Sequence, residues 1–248
     1  MTFKDHFSGH AAAYAQARPT YSAALFEWLA AQCRQHDLVW DAGCGNGQAS
    51  VALAGHFNNV FASDPSATQI EAAKPCPNVR YAVESAEQCS LPDHGADLVT
   101  VAQALHWFDH ARFYAQVRRV LKPGGIIVAW AYERSSVNAE VDAVFARLYV
   151  DTLDDYWPPE RRHIEAGYAT LPFPFAERPP PPLFELRCDW TLGQYLAYLS
   201  SWSAAQRYLK ATGRDAVAEF APALAQAWGD PDTVRAVRWP MAFRIGQA

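Results

Sequence analysis

The chain has 248 residues, half of them hydrophobic, and a formal net charge of −5. This length and composition suffice for a sizeable core and favour one α/β domain with a smaller accessory portion over two independent domains. The acidic balance gives no sign of a phosphate-binding face, so we expect no nucleic-acid partner. No apolar run approaches the roughly 20 residues that span a bilayer, and the N-terminus lacks a signal-peptide core, so we expect a cytoplasmic protein without membrane segments.

The residues from Ser22 to about Gln35 show a helical pattern. The stretch 39–50, which comes after this predicted helix, is the most informative part of the sequence. A short apolar run ends in Asp41, a glycine-rich turn follows, and a helix-compatible segment comes next. Gly43 and Gly45 lack the Cβ atoms that would keep a molecule away from the backbone, and they allow a positive φ in a tight turn. The order predicts a strand, a turn and a helix with a ligand lying on the turn.

The same order could open a dinucleotide-binding unit, so charge and spacing must separate the two possibilities. The third glycine of a G-x-G-x-x-G pattern would fall at Gln48. The carboxylate of Asp41, expected at the mouth of the turn, would repel a pyrophosphate held at the helix N-terminus. S-adenosylmethionine, which carries an ammonium, a sulfonium and no phosphate, therefore suits the loop better.

The next elements place polar residues at the ends of predicted strands. Asp64 ends a buried strand about 20 residues past the loop, where an acid accepts hydrogen bonds from ribose hydroxyls. A third strand, 79–83, leads into the loop 84–87, and a fourth, 96–102, leads into 103–108. Ligands in open α/β sheets lie beyond the carboxyl ends of the strands, so these loops should face the ligand.

A helix from Asp109 to Val120 and an apolar fifth strand, 126–130, complete an alternation of strands and helices that indicates a parallel, doubly wound core. The periodicity then changes. The remaining predicted elements are a helix over 138–153, a proline-rich connector, a strand over 184–190, helices over 192–199, 204–211 and 214–228, and a closing strand over 234–245.

Aromatic residues concentrate in the portions left over from the sheet, which should cover the active site. Five of them are candidates for an apolar pocket: Trp157, Tyr195, Tyr198, Trp202 and Tyr208. Arg207, and also Arg161, could anchor an acidic substrate there. The alternative is that the aromatic residues form the core of the cap and the arginines are solvated.

The D-x-G-C-G-x-G loop of residues 41–47 resembles motif I of the class I S-adenosylmethionine-dependent methyltransferases. Further segments resemble this family in the expected order, namely 61–64, 84–87, 102–108 and 121–125. The pieces 14–19 and 201–208 resemble the small-molecule branch that contains trans-aconitate methyltransferase. Five scattered cysteines show no C-x-x-C pair and no zinc-ligand spacing, so we expect reduced thiols and no metal.

The resemblance implies an α/β fold: a doubly wound, seven-stranded, mostly parallel Rossmann-like sheet with a C-terminal antiparallel strand and a helical cap. Within a single domain, 1–248, residues 1–131 form the cofactor-binding core with an N-terminal lid. Residues 132–183 and 191–230 form the cap, and 184–190 and 234–245 form closing strands.

The resemblance also implies roles for individual residues. Arg18 would lie near the methionine carboxylate of the cofactor and Tyr14 near its sulfonium, while Ser85 and Ala86 would flank the adenine and Glu87 would accept from its amine. The complete cofactor set is Tyr14, Arg18, Asp41, Gly43, Gly45, Asp64, Ser85, Ala86, Glu87 and Gln103. The catalytic set is His106, Trp107 and Arg207, with His106 acting as a general base or orienting a substrate oxygen.

These observations predict methyl transfer from S-adenosylmethionine, with S-adenosylhomocysteine as product, to a carboxylate or hydroxyl oxygen of a small acceptor, acidic or aromatic. Two alternatives remain open at this point: methylation of RNA or protein, and a regulatory protein that binds the cofactor without catalysis. Methylation of RNA or protein is disfavoured because the chain lacks the N/D-P-P-Y/F sequence after the fourth strand. A monomer and a homodimer are both compatible with the sequence.

Overall fold

The computed structural model describes residues 19–248. In this part of the chain a mixed sheet contains eight strands, which are β1 (Leu38–Ala42), β2 (Asn59–Asp64), β3 (Val79–Val83), β4 (Ala96–Ala102), β5 (Leu121–Tyr132), β6 (Ala176–Glu177), β7 (Glu185–Trp190) and β8 (Arg235–Gln247). The order is β3-β2-β1-β4-β5-β8-β6, with β7 also paired to β8. Strands β1 to β5 are parallel, and β8 runs antiparallel to β5.

The described helices are α1 (Ala23–Ala31), α2 (Gln48–Leu53), α3 (Ala67–Glu71), α4 (His110–Val120), α5 (Ala139–Ala146), α6 (Arg161–Glu165), α7 (Leu192–Ser200), α8 (Ser203–Thr212) and α9 (Ala216–Trp228). A π-helical turn, Arg147–Thr152, continues α5. Within residues 19–248, no helix combines the length and the apolar character that crossing a bilayer requires.

Neighbouring residues of the parallel strands pack on opposite faces of the sheet. Val39 lies in a hydrophobic cluster with α1 and α2, whereas Trp40 lies in one with Phe113 and Val117 of α4. The predicted doubly wound, mostly parallel sheet with a C-terminal antiparallel strand is therefore confirmed. The described sheet has eight strands where seven were predicted, because the two-residue strand β6 adds to the edge.

Strand β8 belongs to two parts of the fold. Its first half, from Arg235 to Pro240, pairs with β7, and its second half, from Met241 to Gln247, pairs with β5. Val237 and Trp239 in the first half join a separate hydrophobic cluster with α5, α7, α8 and α9. This second cluster, which we call the cap core, is thus connected covalently to the edge of the main sheet.

The predicted cap range 132–183 divides between the two clusters. Helix α5 packs in the cap core, but Ile164, Tyr168 and Leu171 pack with α4 under the main sheet. Helix α6 contacts a short 3₁₀ turn, Leu105–Trp107, that follows β4. This contact brings the segment after α5 to the carboxyl ends of the parallel strands, where ligands bind in such sheets.

Candidate functional site

The loop after β1 approaches the ends of the neighbouring strands closely. Gly43 and Gly45 have φ angles of 69° and 56°, in the left-handed region that favours glycine. A Cβ atom on Gly43 would lie 2.7 Å from Cβ of Ala104, whereas one on Gly45 would meet, among residues 19–248, only Oε1 of Gln69, at 3.8 Å. Gly43 therefore seats the loop against the turn after β4, and Gly45 is the glycine beside which a ligand has room.

Asp64 at the end of β2 is tied to this loop. One of its carboxylate oxygens accepts a hydrogen bond of 2.9 Å from the backbone N–H of Gly45, and the other accepts one of 2.9 Å from the N–H of Ser66. The two residues that the sequence predicts for the loop and the ribose thus lie side by side.

Asp41 lies inside the fold and not at the mouth of the turn. The residue has no exposed surface, and its two carboxylate oxygens accept hydrogen bonds from Ser50 at 2.6 Å and from Thr100 at 3.0 Å. Burial raises the pKa of the carboxyl to about 6, against the effect of the two hydroxyl donors. The prediction that Asp41 lies at the mouth of the turn is therefore wrong. Asp41 lies beneath the loop and connects β1 to α2 and β4 through these two hydrogen bonds.

Gln103, the first residue after β4, combines backbone strain with an unpaired acceptor. Its φ is 57°, which is uncommon for a residue other than glycine. Its backbone N–H donates to the carbonyl of Trp130 at 2.9 Å, and its Nε2 donates to the carbonyl of Tyr132 at 3.3 Å. Its Oε1 is buried and finds no hydrogen-bond partner among the described residues. A buried acceptor held in this way can take a donor from a ligand.

The predicted adenine loop is connected to the start of α4. Ala86 is buried, and a turn hydrogen bond of 3.1 Å joins the N–H of Gln88 to the carbonyl of Ser85. Oε1 of Glu87 accepts a hydrogen bond of 2.9 Å from the N–H of Asp109. One oxygen of Glu87 therefore already has a protein donor, and the contact of this loop with adenine stays a prediction.

His106 is buried in the 3₁₀ turn after β4, against the ring of Trp107, with the two centroids 4.6 Å apart. Its Nδ1 lies 3.0 Å from the hydroxyl oxygen of Tyr168. Burial lowers the pKa of the imidazole to about 3, and the positive charge of Arg161 acts in the same direction. At neutral pH the ring is therefore uncharged and weakly basic, which suits an orienting role better than proton abstraction.

Arg207 and the aromatic residues predicted for the pocket lie in the cap. Nη1 of Arg207 donates to the backbone carbonyl of Tyr156 at 3.3 Å, which connects α8 to the turn Asp154–Tyr156. Four of the five aromatic residues are buried members of the cap core: Tyr195, Tyr198, Trp202 and Tyr208. These four side chains therefore form the core of the cap, which was the alternative to a substrate pocket in the sequence. Tyr14 and Arg18 lie outside the described residues.

The cysteine side chains of the described region are free thiols. Cys44, within the glycine loop, is buried, and burial raises the pKa of its thiol well above the usual value. The nucleophilic form of cysteine is the thiolate, so this environment makes Cys44 unreactive. It fills space in the loop.

Several residues at the site escaped the sequence analysis. Ser50 and Thr100 hold Asp41, and Tyr168 holds His106. Thr100 alone gave a signal, as a hydroxyl within the apolar run of β4. A cavity of about 210 Å³ also lies next to the end of β5, lined by Glu133, Arg134, Arg161, Ile164 and Glu165.

Comparisons with known proteins agree with this geometry. A family model described as a methyltransferase domain matches residues 40–129. A methyltransferase-family protein of Dictyostelium discoideum is 34% identical over 234 residues, which cover 93% of this chain and 89% of that protein. A solved structure of a type II methyltransferase-family protein from Anaeromyxobacter dehalogenans is 46% identical with a TM-score of 0.88, covering 93% of this chain and 97% of that one. The chain therefore belongs to the class I S-adenosylmethionine-dependent methyltransferases.

Proposed function

We propose that this enzyme binds S-adenosylmethionine at the carboxyl ends of β1, β2 and β4 and methylates an oxygen of a small organic acceptor. The observation that carries the cofactor site is the hydrogen bond of 2.9 Å from the N–H of Gly45 to Asp64. It fixes an acid that can bind two ribose hydroxyls next to Gly45, the loop glycine that the described residues leave open on one side.

The residues around this hydrogen bond fit the charges of the cofactor. The unpaired Oε1 of Gln103 can accept a hydrogen bond from its ammonium group. Asp64 holds its carboxylate beside Gly45, where it would accept from the ribose hydroxyls, and the turn at Ser85 and Ala86 is available to the adenine. When bound, the cofactor supplies a methyl group already activated by a positively charged sulfur. The protein then has to align the acceptor with that group and exclude water.

A carboxylate is the acceptor that these residues support best. A carboxylate is anionic at neutral pH and needs no base, whereas a hydroxyl must lose a proton during transfer. His106 is the candidate that the sequence predicts for that base, and its pKa of about 3 makes it a weak one. O-methylation of a carboxylate therefore agrees with the buried, neutral imidazole.

We further propose that the enzyme belongs to the branch with trans-aconitate methyltransferase, that it is cytoplasmic, and that it is a monomer or a homodimer. We also propose that it transfers the methyl group without a metal ion. The small cavity beside β5 and the net charge of −5 support a small acceptor over RNA or protein. Turnover with a small acid would eliminate the regulatory alternative.

The test of the cofactor site is calorimetric titration of the purified protein with S-adenosylmethionine and S-adenosylhomocysteine. We expect micromolar dissociation constants, an increase of at least about 10-fold in Asp64→Ala, and no change in Asp93→Ala, which removes an exposed acid elsewhere. Equal affinity of the Asp64→Ala and Asp93→Ala variants would contradict the site. So would a lack of binding in folded wild-type protein free of copurified ligand.

A further inference from the structure

Arg161 occupies a distinctive position beside the transfer site. It is half-buried, lies on the wall of the cavity of about 210 Å³, and begins the helix α6 that packs on the turn Leu105–Trp107. Its charge is close enough to contribute to the lowered pKa of His106. Arg161 thus lies on the wall of the cavity and on the helix that packs against the turn of His106, where the methyl group should be transferred.

Neighbouring side chains hold this guanidinium in place. Nε of Arg161 donates to the hydroxyl of Tyr149 at 2.8 Å, and that hydroxyl donates to Oε1 of Glu165 at 2.6 Å. Cζ of Arg161 also lies 5.1 Å from the ring centroid of Trp157. A cation fixed through Nε and stacked on an aromatic ring loses little further conformational entropy when it binds a ligand.

The terminal nitrogens of Arg161 are not used by the part of the chain that the structure describes. Its Nη1 and Nη2 make no hydrogen bond there, and Arg161 forms no salt bridge with any described acid. Glu165, the acid on its own helix, instead accepts from Tyr149 and lies 3.7 Å from Arg134. A planar pair of N–H donors is therefore left for a ligand, and this geometry matches a carboxylate.

We propose that Arg161 binds a carboxylate group of the methyl acceptor and thereby sets its specificity, with Tyr149 and Glu165 as positioning residues. The inference rests on the proposed function, because the acceptor must lie beside the cofactor. The cavity is lined by two arginines and two glutamates, so its own charges cancel. One added negative charge is matched by Arg161, whereas a doubly charged phosphate would be repelled by Glu133 and Glu165.

This assignment differs from the anchor considered first in the sequence, Arg207. Arg207 donates to a backbone carbonyl of the cap, while Arg161 lines the cavity beside β5 and its charge acts on His106. The size of the cavity lies below the roughly 300 Å³ at which pockets for drug-sized ligands begin. The acceptor is therefore a compact acid.

The test compares small acids with their uncharged amides. Benzoate, phenylacetate and butyrate, each with one negative charge and each paired with its amide, are titrated into the protein with and without S-adenosylhomocysteine. We expect at least one acid to bind the wild type about 10-fold or more tightly than its amide. Arg161→Gln should lose this preference and Arg161→Lys should recover part of it. The matched control is Arg162→Gln, which removes an exposed arginine from the same helix and should keep the preference.

The ratio of acid to amide affinity separates charge recognition from a general loss of stability, which would weaken both ligands. An unchanged ratio in Arg161→Gln, or no preference for any acid in the wild type, would overturn the proposal. Tighter binding of methyl phosphate than of every acid would also overturn the assignment to a carboxylate. The titration with S-adenosylhomocysteine alone reports separately on the cofactor site, so the failure of one proposal is distinguishable from the failure of the other.

Discussion

Ser50 donates a hydrogen bond of 2.6 Å to Asp41, and both residues are fully buried. Thr100 donates to the other carboxylate oxygen at 3.0 Å. The acid is thus stabilised by two neutral hydroxyls, and no salt bridge pairs it with a cation of the described chain. Hydroxyl donors compensate only part of the desolvation of a charge, so ionisation of Asp41 opposes folding.

The stability of the protein should therefore depend on the charge of Asp41. Its pKa is about 6 in the folded state and 3.8 at its ordinary value, so the folded state holds this proton more tightly. The resulting stabilisation is complete below about pH 4 and is lost as the pH rises to 6, a change of up to about 3 kcal/mol. Asp41→Asn lacks this titration.

Urea unfolding at pH 4, 5, 6 and 7 measures the effect. The free energy of unfolding of Asp41→Asn, relative to the wild type, should increase over this range. A constant difference between Asp41→Asn and the wild type would show that Asp41 titrates normally.

Two glycines of the loop should respond differently to the same substitution. A methyl group on Gly43 meets Cβ of Ala104 at 2.7 Å and the ring of Phe108 at 2.9 Å, so Gly43→Ala should destabilise the fold by about 2 kcal/mol or more. Gly45→Ala adds only the left-handed backbone penalty, about 1 kcal/mol, but fills the open side of the loop. Its main effect should be on cofactor binding.

Thermal unfolding and calorimetry on the two variants separate these effects. Gly45→Ala should raise the dissociation constant of S-adenosylhomocysteine by at least about 10-fold, with a smaller drop in melting temperature than Gly43→Ala. If Gly45→Ala binds the ligand with wild-type affinity, the ligand does not lie on that side of the loop.

The sheet and the cofactor loop were predictable because their signals are local. Strand β4 has the predicted bounds, Ala96–Ala102, since a buried parallel strand is a continuous apolar run. Gly45 and Asp64 were placed together because the carboxyl ends of adjacent parallel strands share one edge of the sheet.

The substrate side was less predictable because its contacts join distant, irregular segments. His106 and Tyr168 are separated by 62 positions, and the intervening chain includes β5 and the start of the cap. The burial of Asp41 likewise depends on hydroxyls from two other elements. No periodicity within one segment reports such partners.

Gln103 should matter for cofactor affinity and little for stability. Gln103→Leu removes a buried Oε1 that no described residue pairs, which should stabilise the fold. It also removes a hydrogen bond of 3.3 Å to the carbonyl of Tyr132, and that loss should destabilise the fold. A hydrogen bond to a charged group contributes about 1.5–3 kcal/mol, so the affinity for S-adenosylmethionine should fall about 10-fold or more. Gln226→Leu, which changes an exposed glutamine of α9 in the cap, is the control. Equal affinities of the two variants would contradict contact between Gln103 and the ammonium group.

His106 should affect turnover without acting as a base. Its imidazole has a pKa of about 3, so it stays neutral and its charge does not change between pH 6 and 8. With a carboxylate acceptor, kcat should be flat over this range, and His106→Gln should lower it by less than about 10-fold, since general-base catalysis is typically worth 10²- to 10⁴-fold. Tyr168→Phe, which removes only the hydroxyl 3.0 Å from Nδ1, should have a smaller effect.

Rates of methyl transfer from labelled S-adenosylmethionine, measured as a function of pH, decide the role of His106. A wild-type profile that rises with an apparent pKa of 6 to 7 and loses this step in His106→Gln would assign the proton transfer to His106. The acceptor oxygen would then be a hydroxyl, because only a hydroxyl has a proton to lose at neutral pH. A flat profile retained in both variants leaves the imidazole as a neutral wall of the site, with the acceptor arriving already ionised.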